Sequence, residues 1–356
     1  MSQALSFALK LIDLHLHENW SQSKINIADH KQAYTGKKIP ISVTFTATWH
    51  CNLNCVHCSA EINNQKTDKL DTPRFLKLLD EMEEAGVVKI GITGGEPLMR
   101  PDMPEIIDKC HEKNFVSSMV TNSWLVARHI ETLKKVSLVM LSLDGDEIIN
   151  DEIRGKGNWE KFQEAVKIAQ ANKINIAGLT NLNGINHSMF HKFPKIFGEL
   201  NMHWYLQMFN DDFGVGEQAN LPREERTPGS DFAVTQEQVN DVVQKVAKSP
   251  HLRTTKKYLK FMMGDHRPID RCYAGIAYVV IDPDGMMYPC NNAYFDPDYP
   301  GVSILQNNFA DAFQKLPLYR KTCDTCTLGC HIEPNYLFSF NPNAILNAYK
   351  ATKPVT

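Results

Sequence analysis

Three cysteines stand close together near the start of the chain, in the segment "TWHCNLNCVHCSAE". Cys51, Cys55 and Cys58 have the spacing C-x3-C-x2-C. An odd number of thiols does not fit a set of disulfides, and three are one short of a four-coordinate structural zinc site. Thiolates at this density suit zinc or an iron–sulfur cluster. Zinc would need His50 or His57 as a further ligand, whereas a cluster held by three thiolates would leave one iron open.

A second group of cysteines lies in the last hundred residues of the chain. Its members are Cys272, Cys290, Cys323, Cys326 and Cys330. C-x2-C pairs are common in zinc sites, so zinc is an alternative to a second iron–sulfur cluster in this region. The remaining cysteine of interest, Cys110, lies in a predicted helix and is expected to be a buried core thiol.

The composition of the chain argues against several classes of protein. The 356 residues carry a formal net charge of -3, which does not favour a general nucleic-acid-binding surface. No apolar run is long enough to cross a bilayer, and no secretory signal is visible. We therefore expect a cytoplasmic protein whose nine cysteines are reduced thiols used for metal binding or catalysis.

The elements that must position the first cysteines alternate between strands and helices. Strands are predicted at 41–47, 87–93, 115–121, 136–143, 174–182 and 203–209. A helical segment follows each strand, and after the first strand the cysteine loop comes before the helix. Such units in series predict a parallel sheet with helices outside, and right-handed crossovers would curl it into a full or partial barrel. In such a barrel the chemistry lies in the loops that follow the strands, and the first of these loops carries the cysteines.

The pattern predicts three regions: an N-terminal extension over 1–40, a core over 41–250 and a smaller domain over 251–356. In the last of these, "AYVVIDPDGMMYPC" indicates a β-hairpin with Asp-Gly at its turn. The N-terminal extension places Leu5, Ala8, Leu9 and Ile12 on one helical stripe. We expect this stripe to pack on the core; a dimer contact, or contact with a greasy substrate or a membrane, is the alternative.

The order of motifs at the strand ends resembles that of the radical S-adenosylmethionine (SAM) superfamily. C-x3-C-x2-C after the first strand is the signature of that family. "GITGGEPLMR" looks like its GGEP motif, and "VTNS" is similar to its T-N-G. "LSLDGDEIINDEIRGKGNW" resembles its S-x-D-G and I-R-G-x-G segments, and "YLQMF" its sixth-strand element. The resemblance covers about 40–215 and the tail, and it implies an α/β fold with a partial (β/α)6 TIM-like barrel.

The resemblance also implies where the cofactors bind. Cys51, Cys55 and Cys58 would hold a [4Fe-4S] cluster whose open iron is chelated by the amine and carboxylate of SAM. The residues implied to bind SAM are Gly94, Gly95, Glu96, Asn122, Ser142, Asp144, Arg154 and Gln207. His57 departs from the family, which commonly has Phe, Tyr or Trp before the third cysteine, although an imidazole can still stack on adenine.

The implied roles of these residues differ. Backbone groups from Gly94 to Glu96 would hold the ammonium of SAM, because glycines let a ligand approach the main chain closely. The Glu96 carboxylate is a candidate charged partner for that ammonium. Ser142 and Arg154 would hold the SAM carboxylate, Arg154 through a forked charge-assisted contact. Because Arg154 lies in a glycine-rich turn, we expect its side chain to support no packed core. Two further residues are expected to face the ribose or methionine: Asn122 and Asp144.

The cysteine-rich tail resembles the SPASM extension, or its shorter twitch form, which carries auxiliary [4Fe-4S] clusters. Five tail cysteines are too few for two clusters, so one auxiliary cluster is expected. Its favoured ligands are Cys272, Cys290, Cys323 and Cys326, with Cys330 as a replacement for one of the last pair. The ending "CDTCTLGCHIEPN" also looks like that of enzymes that attach adenosyl to hopanoid lipids.

The resemblance implies an enzyme of the oxidoreductase or transferase type. It would cleave SAM reductively to a 5′-deoxyadenosyl radical that takes hydrogen from a substrate carbon, with flavodoxin or ferredoxin as electron donor. The alternatives are adenosyl addition to a lipid-like alkene, maturation of a peptide, and a non-enzymatic metal-binding scaffold. Substrate class and catalytic acid–base group stay open. Loop 210–231 contains three candidate carboxylates, although ordinary solvated side chains are favoured there: Asp211, Asp212 and Glu217.

Overall fold

One sheet of nine strands carries the fold. The computed structural model describes residues 12–14, 16, 36–58, 64–209, 232–264, 272–296, 298–319, 326–339, 341 and 344–346. The strands are β1 (Ser42–Thr46), β2 (Lys89–Thr93), β3 (Val116–Thr121), β4 (Leu138–Ser142), β5 (Ile176–Leu182), β6 (His203–Met208), β7 (Tyr278–Ile281), β8 (Met286–Tyr288) and β9 (Val302–Ser303). Their order across the sheet is β6-β5-β4-β3-β2-β1-β7-β8-β9. The sheet is parallel from β6 to β7, and β8 and β9 are antiparallel additions.

Helices connect the parallel strands and cover one face of the sheet. They are α1 (Thr72–Glu84), α2 (Met103–Glu112), α3 (Ile130–Leu133), α4 (Glu147–Arg154), α5 (Asn158–Ala171), α6 (Phe193–Glu199), α7 (Gln236–Val246), α8 (Lys256–Met262), α9 (Asn291–Tyr294), α10 (Phe309–Lys315) and α11 (Gly329–Phe338). Their starts follow local capping rules: Asp71 accepts a hydrogen bond from the backbone of Arg74, and Thr235 forms a capping box with Gln238.

The two faces of the sheet have different side chains, because successive residues of a strand point to opposite sides. Val43, Phe45, Ile90 and Ile92 are buried in the main core with the covering helices. The alternate residues, such as those of β2 starting at Lys89, are partly exposed and face the concave inner side. The inner side is therefore the more accessible face, and it carries both polar and apolar side chains.

The strand predictions are confirmed: all six predicted parallel strands form, and each is followed by helical structure. A parallel sheet that runs in sequence order and ends at separate edges is a partial barrel, as expected. Cys110 is buried in the core, which agrees with its expected structural role. No helix among the described residues is long and apolar enough to cross a membrane.

The C-terminal hairpin forms where predicted, but it does not make a separate layer. Its turn places Gly285 at a φ of +73°, a left-handed conformation that favours glycine. β7 pairs in parallel with β1, so the hairpin extends the sheet of the core. At the opposite edge, the Trp204 backbone bonds to that of His251 and Arg253. The predicted region 251–356 is thus continuous with the barrel at both edges, and its proposed boundary stays a prediction.

The N-terminal extension is described at 12–14 and 16, which are helical, and at 36–40. Leu14 is fully buried, against Ile39 and Ile41 among others, whereas Ile12 is 47% exposed. The prediction that Ile12 belongs to the packed stripe is therefore wrong, and Leu14 makes that contact instead. The other stripe residues lie outside the described part of the chain: Leu5, Ala8 and Leu9.

Candidate active site

The first three cysteines lie in the loop that leaves the C-terminal end of β1. Burial, reinforced by the neighbouring thiols, raises the pKa of Cys51 to about 12 and that of Cys55 to about 11. Thiols of this kind keep their protons until a cation displaces them. Binding of iron in this loop would therefore require these thiols to release their protons.

Two backbone hydrogen bonds clamp the cysteine loop to the loop after β2. Gly95 N donates to the carbonyl of Thr48 at 3.0 Å, and Glu96 N donates to the carbonyl of His50 at 2.7 Å. A Cβ atom at Gly95 would lie 2.1 Å from the His50 carbonyl oxygen, and Gly94 has a φ of +143°. The clamp uses the amides of this segment. The carbonyl oxygens of Gly94 and Gly95 take no part in it, and an ammonium group needs acceptors of this kind.

Glu96, a predicted partner of the SAM ammonium, is bound by three donors from the protein itself. Thr121 Oγ1 and Asn122 N donate to its carboxylate at 2.8 Å each, and Leu98 N donates at 3.1 Å. Burial raises the pKa of Glu96 to about 7, against the lowering effect of these bonds. Its contacts therefore show a side chain that joins the loops after β2 and β3; a contact with SAM stays a prediction.

Asp144 is the centre of a buried polar group at the end of β4. Its Oδ2 lies 2.6 Å from Arg154 Nη2 and 3.3 Å from His57 Nε2, and its Oδ1 accepts a hydrogen bond from Asn181 N at 2.9 Å. Asp144 is fully buried and the Arg154 side chain is 11% exposed. The expectation that Arg154 supports no packed structure is wrong, because its guanidinium neutralises a carboxylate inside the protein. Its predicted contact with the SAM carboxylate is not tested.

His57 is oriented by the same carboxylate. The ring is buried, and burial lowers its pKa to about 4, which outweighs the opposite effect of Asp144. The imidazole is therefore neutral at ordinary pH. Its predicted stacking on adenine stays a prediction, and the structure adds a polar contact between Nε2 and the Asp144 carboxylate that a Phe at this position could not make.

The site contains buried polar atoms that the described residues leave without a hydrogen-bond partner. They include His57 Nδ1, Ser123 Oγ, Arg154 Nε and Asn181 Oδ1. Buried polar atoms nearly always have a partner, so a cluster of exceptions indicates a bound ligand or ordered water. The glycine cradle, the thiol loop and these atoms together fit SAM and an iron–sulfur cluster.

The remaining predicted SAM ligands lie at three strand ends. Asn122, just beyond β3, donates through Nδ2 to Asn52 Oδ1 at 2.8 Å and lies 3.8 Å from Cys51 Sγ. Ser142 is buried at the end of β4. Gln207, near the end of β6, is beside the start of α11, because a Cβ at Gly329 would lie 3.2 Å from Gln207 Cγ. Asn122 therefore contacts the cysteine loop, whereas Gln207 borders the tail.

The described tail thiols interact with one another, since burial raises the pKa of Cys326 and Cys290, Cys272 and Cys330 all add to this effect. Cys272, Cys290 and Cys326 surround Tyr278: burial and these three thiols raise its pKa, and Cys272 Sγ lies 3.8 Å from its Oη. Cys330 is exposed, and desolvation raises the pKa of its thiol against a smaller lowering effect of Lys89. Cys323, a predicted ligand, lies outside the described residues.

Within the described ranges, no three His, Cys, Asp or Glu side chains converge on a single metal ion. A four-iron cluster separates its ligands over several irons, so its thiolates need not meet at one point. His57, a candidate fourth ligand in the zinc alternative, is turned toward Asp144 instead.

Sequence comparison identifies the family of this site. The profile described as "Radical SAM superfamily" matches residues 47–195, which contain the cysteine loop, the glycine clamp and the Asp144 group. This chain is a radical SAM enzyme. Such enzymes bind a [4Fe-4S] cluster together with SAM, and members with a SPASM-type tail carry auxiliary clusters.

Relatives match the chain over most of its length. The subtilosin biosynthesis protein AlbA of Bacillus subtilis is 23% identical and covers 92% of this chain and 78% of its own length. The mycofactocin maturase MftC of Mycobacterium ulcerans is 26% identical over 83% and 80% of the two chains. The PqqA peptide cyclase of Gluconobacter oxydans is 24% identical over 79% and 78%. These alignments include the tail, and this radical SAM enzyme is therefore similar to them beyond its barrel.

A solved structure agrees on the fold. Streptococcus suis SuiB bound to S-adenosylmethionine superimposes with a TM-score of 0.64 at 16% identity, over 86% of this chain and 76% of SuiB. At this identity the similarity establishes the fold alone. It confirms the partial barrel of the radical SAM enzyme together with its C-terminal additions.

Several site residues were missed from the sequence. Asn181 and Asn52 carry no motif, and only the pairing of their strands and loops brings them beside Asp144 and Asn122.

Proposed function

We propose that this radical SAM enzyme modifies a peptide. The observation that carries the proposal is similarity over most of the chain, tail included, to proteins named for subtilosin biosynthesis, mycofactocin maturation and cyclisation of the PqqA peptide. The accessible inner face of the sheet supports it, since its polar and apolar side chains could line a cleft for a peptide.

The residues of the chain have distinct tasks in this reaction. When bound, the cluster and SAM supply a 5′-deoxyadenosyl radical that abstracts hydrogen from a substrate carbon. The clamp at Gly95 keeps the thiol loop against the SAM-binding loop, and Asp144 holds Arg154 and His57 in place. The concave face then shields the reacting carbon from water and competing hydrogen donors.

The tail has a proposed role of its own. Cys272, Cys290, Cys326 and either Cys323 or Cys330 would hold an auxiliary cluster that takes an electron from the substrate radical or relays it. The grouping of three thiols around Tyr278 supports this ligand set. Flavodoxin or ferredoxin is the proposed donor of the electron that starts the reaction, and we propose that the enzyme works in the cytoplasm.

Anaerobic turnover tests the proposal. The reconstituted enzyme is incubated with SAM, dithionite and a peptide fraction prepared from cells grown in deuterated medium. We expect deuterated 5′-deoxyadenosine and a peptide whose mass has changed. A lipid fraction that instead yields an adenosyl adduct, with no product from peptides, would support the hopanoid-type alternative and contradict peptide modification.

A further inference from the structure

A buried asparagine of the tail helix contacts one of the thiols predicted to hold the auxiliary cluster. Asn335 ends the segment "CDTCTLGCHIEPN" and lies in α11, where its side chain is fully buried. Its Nδ2 donates to Cys272 Sγ at 3.7 Å and to Tyr278 Oη at 3.4 Å. The proposed function gives this contact no task.

A backbone group fixes the orientation of the Asn335 amide. The amide nitrogen of Tyr273, the residue after Cys272, donates to Asn335 Oδ1 at 2.8 Å. Because a backbone N–H can only donate, the side-chain oxygen must face Tyr273 and the NH2 group must face the sulfur. The donor is therefore in place beside Cys272 before a metal binds.

Tyr278 brings a second polar group to the same sulfur. Its Oη lies 3.8 Å from Cys272 Sγ, and the residue is 5% exposed. The ring stacks on that of His331, with centroids 5.5 Å apart and planes at 10°, and on that of Phe338 at 6.0 Å. Tyr278 also opens β7, which pairs with β1. The phenol is therefore held by both the sheet and α11.

These two groups become donors to sulfur once Cys272 binds iron. A cysteine that binds a metal is a thiolate, so its sulfur can only accept hydrogen bonds. Both the amide of Asn335 and the hydroxyl of Tyr278 would then donate to Cys272 Sγ. One-electron reduction adds a negative charge to an iron–sulfur cluster, and hydrogen bonds to its sulfur ligands stabilise that charge and raise the reduction potential.

We propose that Asn335 and Tyr278 raise the reduction potential of the auxiliary cluster through hydrogen bonds to the Cys272 ligand. The inference rests on the auxiliary cluster of the proposed function and deepens it. A higher potential favours transfer of one electron from the substrate radical to this cluster, which is the acceptor role given to it above. Asn335 and Tyr278 act through Cys272 and touch neither substrate nor SAM in this role.

Redox titration of the tail cluster tests the proposal. The parent protein is the full chain with Cys51, Cys55 and Cys58 replaced by Ala and reconstituted anaerobically, so that the remaining signal belongs to the tail. Electron paramagnetic resonance at controlled potentials gives the ratio of reduced to oxidised cluster. Tyr278→Phe removes the hydroxyl and keeps the ring, and Asn335→Leu removes the amide at similar volume. We expect each change to lower this ratio at a fixed potential about three- to tenfold, equivalent to a decrease of about 30–60 mV.

A control variant separates this effect from the loss of any buried hydroxyl. Tyr319 is as buried as Tyr278, and its hydroxyl donates to Asp296 Oδ2 at 2.8 Å. Tyr319→Phe in the same parent should leave the potential unchanged. Asn335→Leu also removes the acceptor for Tyr273 N, so we expect a lower melting temperature in that variant. Tyr278→Phe leaves that bond intact and reports on the potential alone.

Specific results would overturn the proposal. With the tail cluster present, an unchanged or higher potential in Tyr278→Phe overturns this inference alone. An equal decrease in Tyr319→Phe does the same, since contact with Cys272 would then be irrelevant. If the parent protein binds no iron in its tail, the auxiliary cluster and this inference fail together. If the decrease is found but no peptide is modified in the turnover assay, peptide modification fails while the effect on the cluster stands.

Discussion

At the scale of single residues, Asp144 decides how the SAM-binding side of the barrel is built. It is fully buried and lies between Arg154 and His57. A buried carboxylate is tolerated only with compensating charge and hydrogen bonds, which Arg154 and the backbone of Asn181 supply. The arginine that the motif indicates for ligand binding is thus also needed for the protein to fold around its own aspartate.

Replacing Arg154 by Ala should therefore affect both stability and SAM binding. The change leaves Asp144 buried without its cation, which commonly costs about 3–5 kcal/mol of unfolding free energy. Arg128→Ala, at an exposed arginine, should cost less than about 0.5 kcal/mol. Anaerobic thermal melting and SAM titration of both variants measure the difference. An Arg154→Ala protein as stable as the wild type would show that the ion pair contributes nothing to folding.

Gly95 makes a second residue-scale prediction. A methyl group at this position would lie 2.1 Å from the carbonyl oxygen of His50, so Gly95→Ala must separate the two loops that carry the thiols and the SAM cradle. We expect the variant to fold but to lose most SAM cleavage, measured as 5′-deoxyadenosine.

The matched control is Gly198→Ala in α6, where the nearest atom to the new methyl group lies at 3.9 Å. Gly198 lies in the last turn of α6 and is not among the glycines with a positive φ, so alanine fits its backbone. Full activity in both variants would contradict the clamp.

At the scale of elements, the β7–β8 hairpin connects the tail to the first cysteine loop. Asp284 at its turn accepts a hydrogen bond from Trp49 Nε1 at 3.3 Å and forms ion pairs with Lys66 and Lys69. Trp49 directly precedes the cysteine loop, and Lys66 Nζ lies 3.8 Å from the centre of its ring. The hairpin turn therefore fixes Trp49 at the start of the cysteine loop. It acts from the β7 side of β1, whereas the glycine clamp acts from the β2 side.

The same hairpin predicts a pH dependence of stability. Asp282 is buried, and burial raises its pKa to about 7. Between about pH 4 and 7 the unfolded chain has lost this proton while the folded protein keeps it, so the unfolding free energy falls as the pH rises through this window. The penalty is complete above about pH 7 and absent below about pH 4.

Asp282→Asn removes the titrating group but keeps an oxygen that can accept the Met286 backbone hydrogen bond. The melting temperature of the variant relative to the wild type should therefore increase from pH 5 to pH 8. Parallel melting curves of the two proteins over this range would show that Asp282 is not protonated in the folded state.

At the scale of the whole molecule, the two groups of thiols belong to one sheet but to different parts of it. The first three follow the C-terminal end of β1, while Cys272 lies next to Tyr278 at the beginning of β7. β1 and β7 are parallel neighbours, with Ser42 opposite Tyr278. The two sites are therefore on a common framework and separated by about the length of a strand.

This separation predicts two clusters that form independently. The reconstituted wild type should contain about eight irons, and a Cys51, Cys55, Cys58→Ala triple variant about four, with the tail cluster still visible by electron paramagnetic resonance. The triple variant should form no 5′-deoxyadenosine. Four irons together with one zinc in the wild type would contradict the auxiliary cluster.

Local patterns in the sequence determined much of this protein. The strands appear as alternating or β-branched runs, the hairpin turn as Asp-Gly, and the cysteine loop as C-x3-C-x2-C, because each depends on residues that are neighbours in the chain. Helix starts such as Asp71 and Thr235 are equally local. The order of the motifs at successive strand ends was enough to indicate the radical SAM family.

Only the tertiary structure decided which distant groups meet. Burial of Asp144 against Arg154, the three donors on Glu96 and the pairing of β7 with β1 depend on strand order and register, which no local pattern encodes. Burial makes these contacts matter for stability, because a charge that is solvated in water must be neutralised or hydrogen-bonded inside the protein.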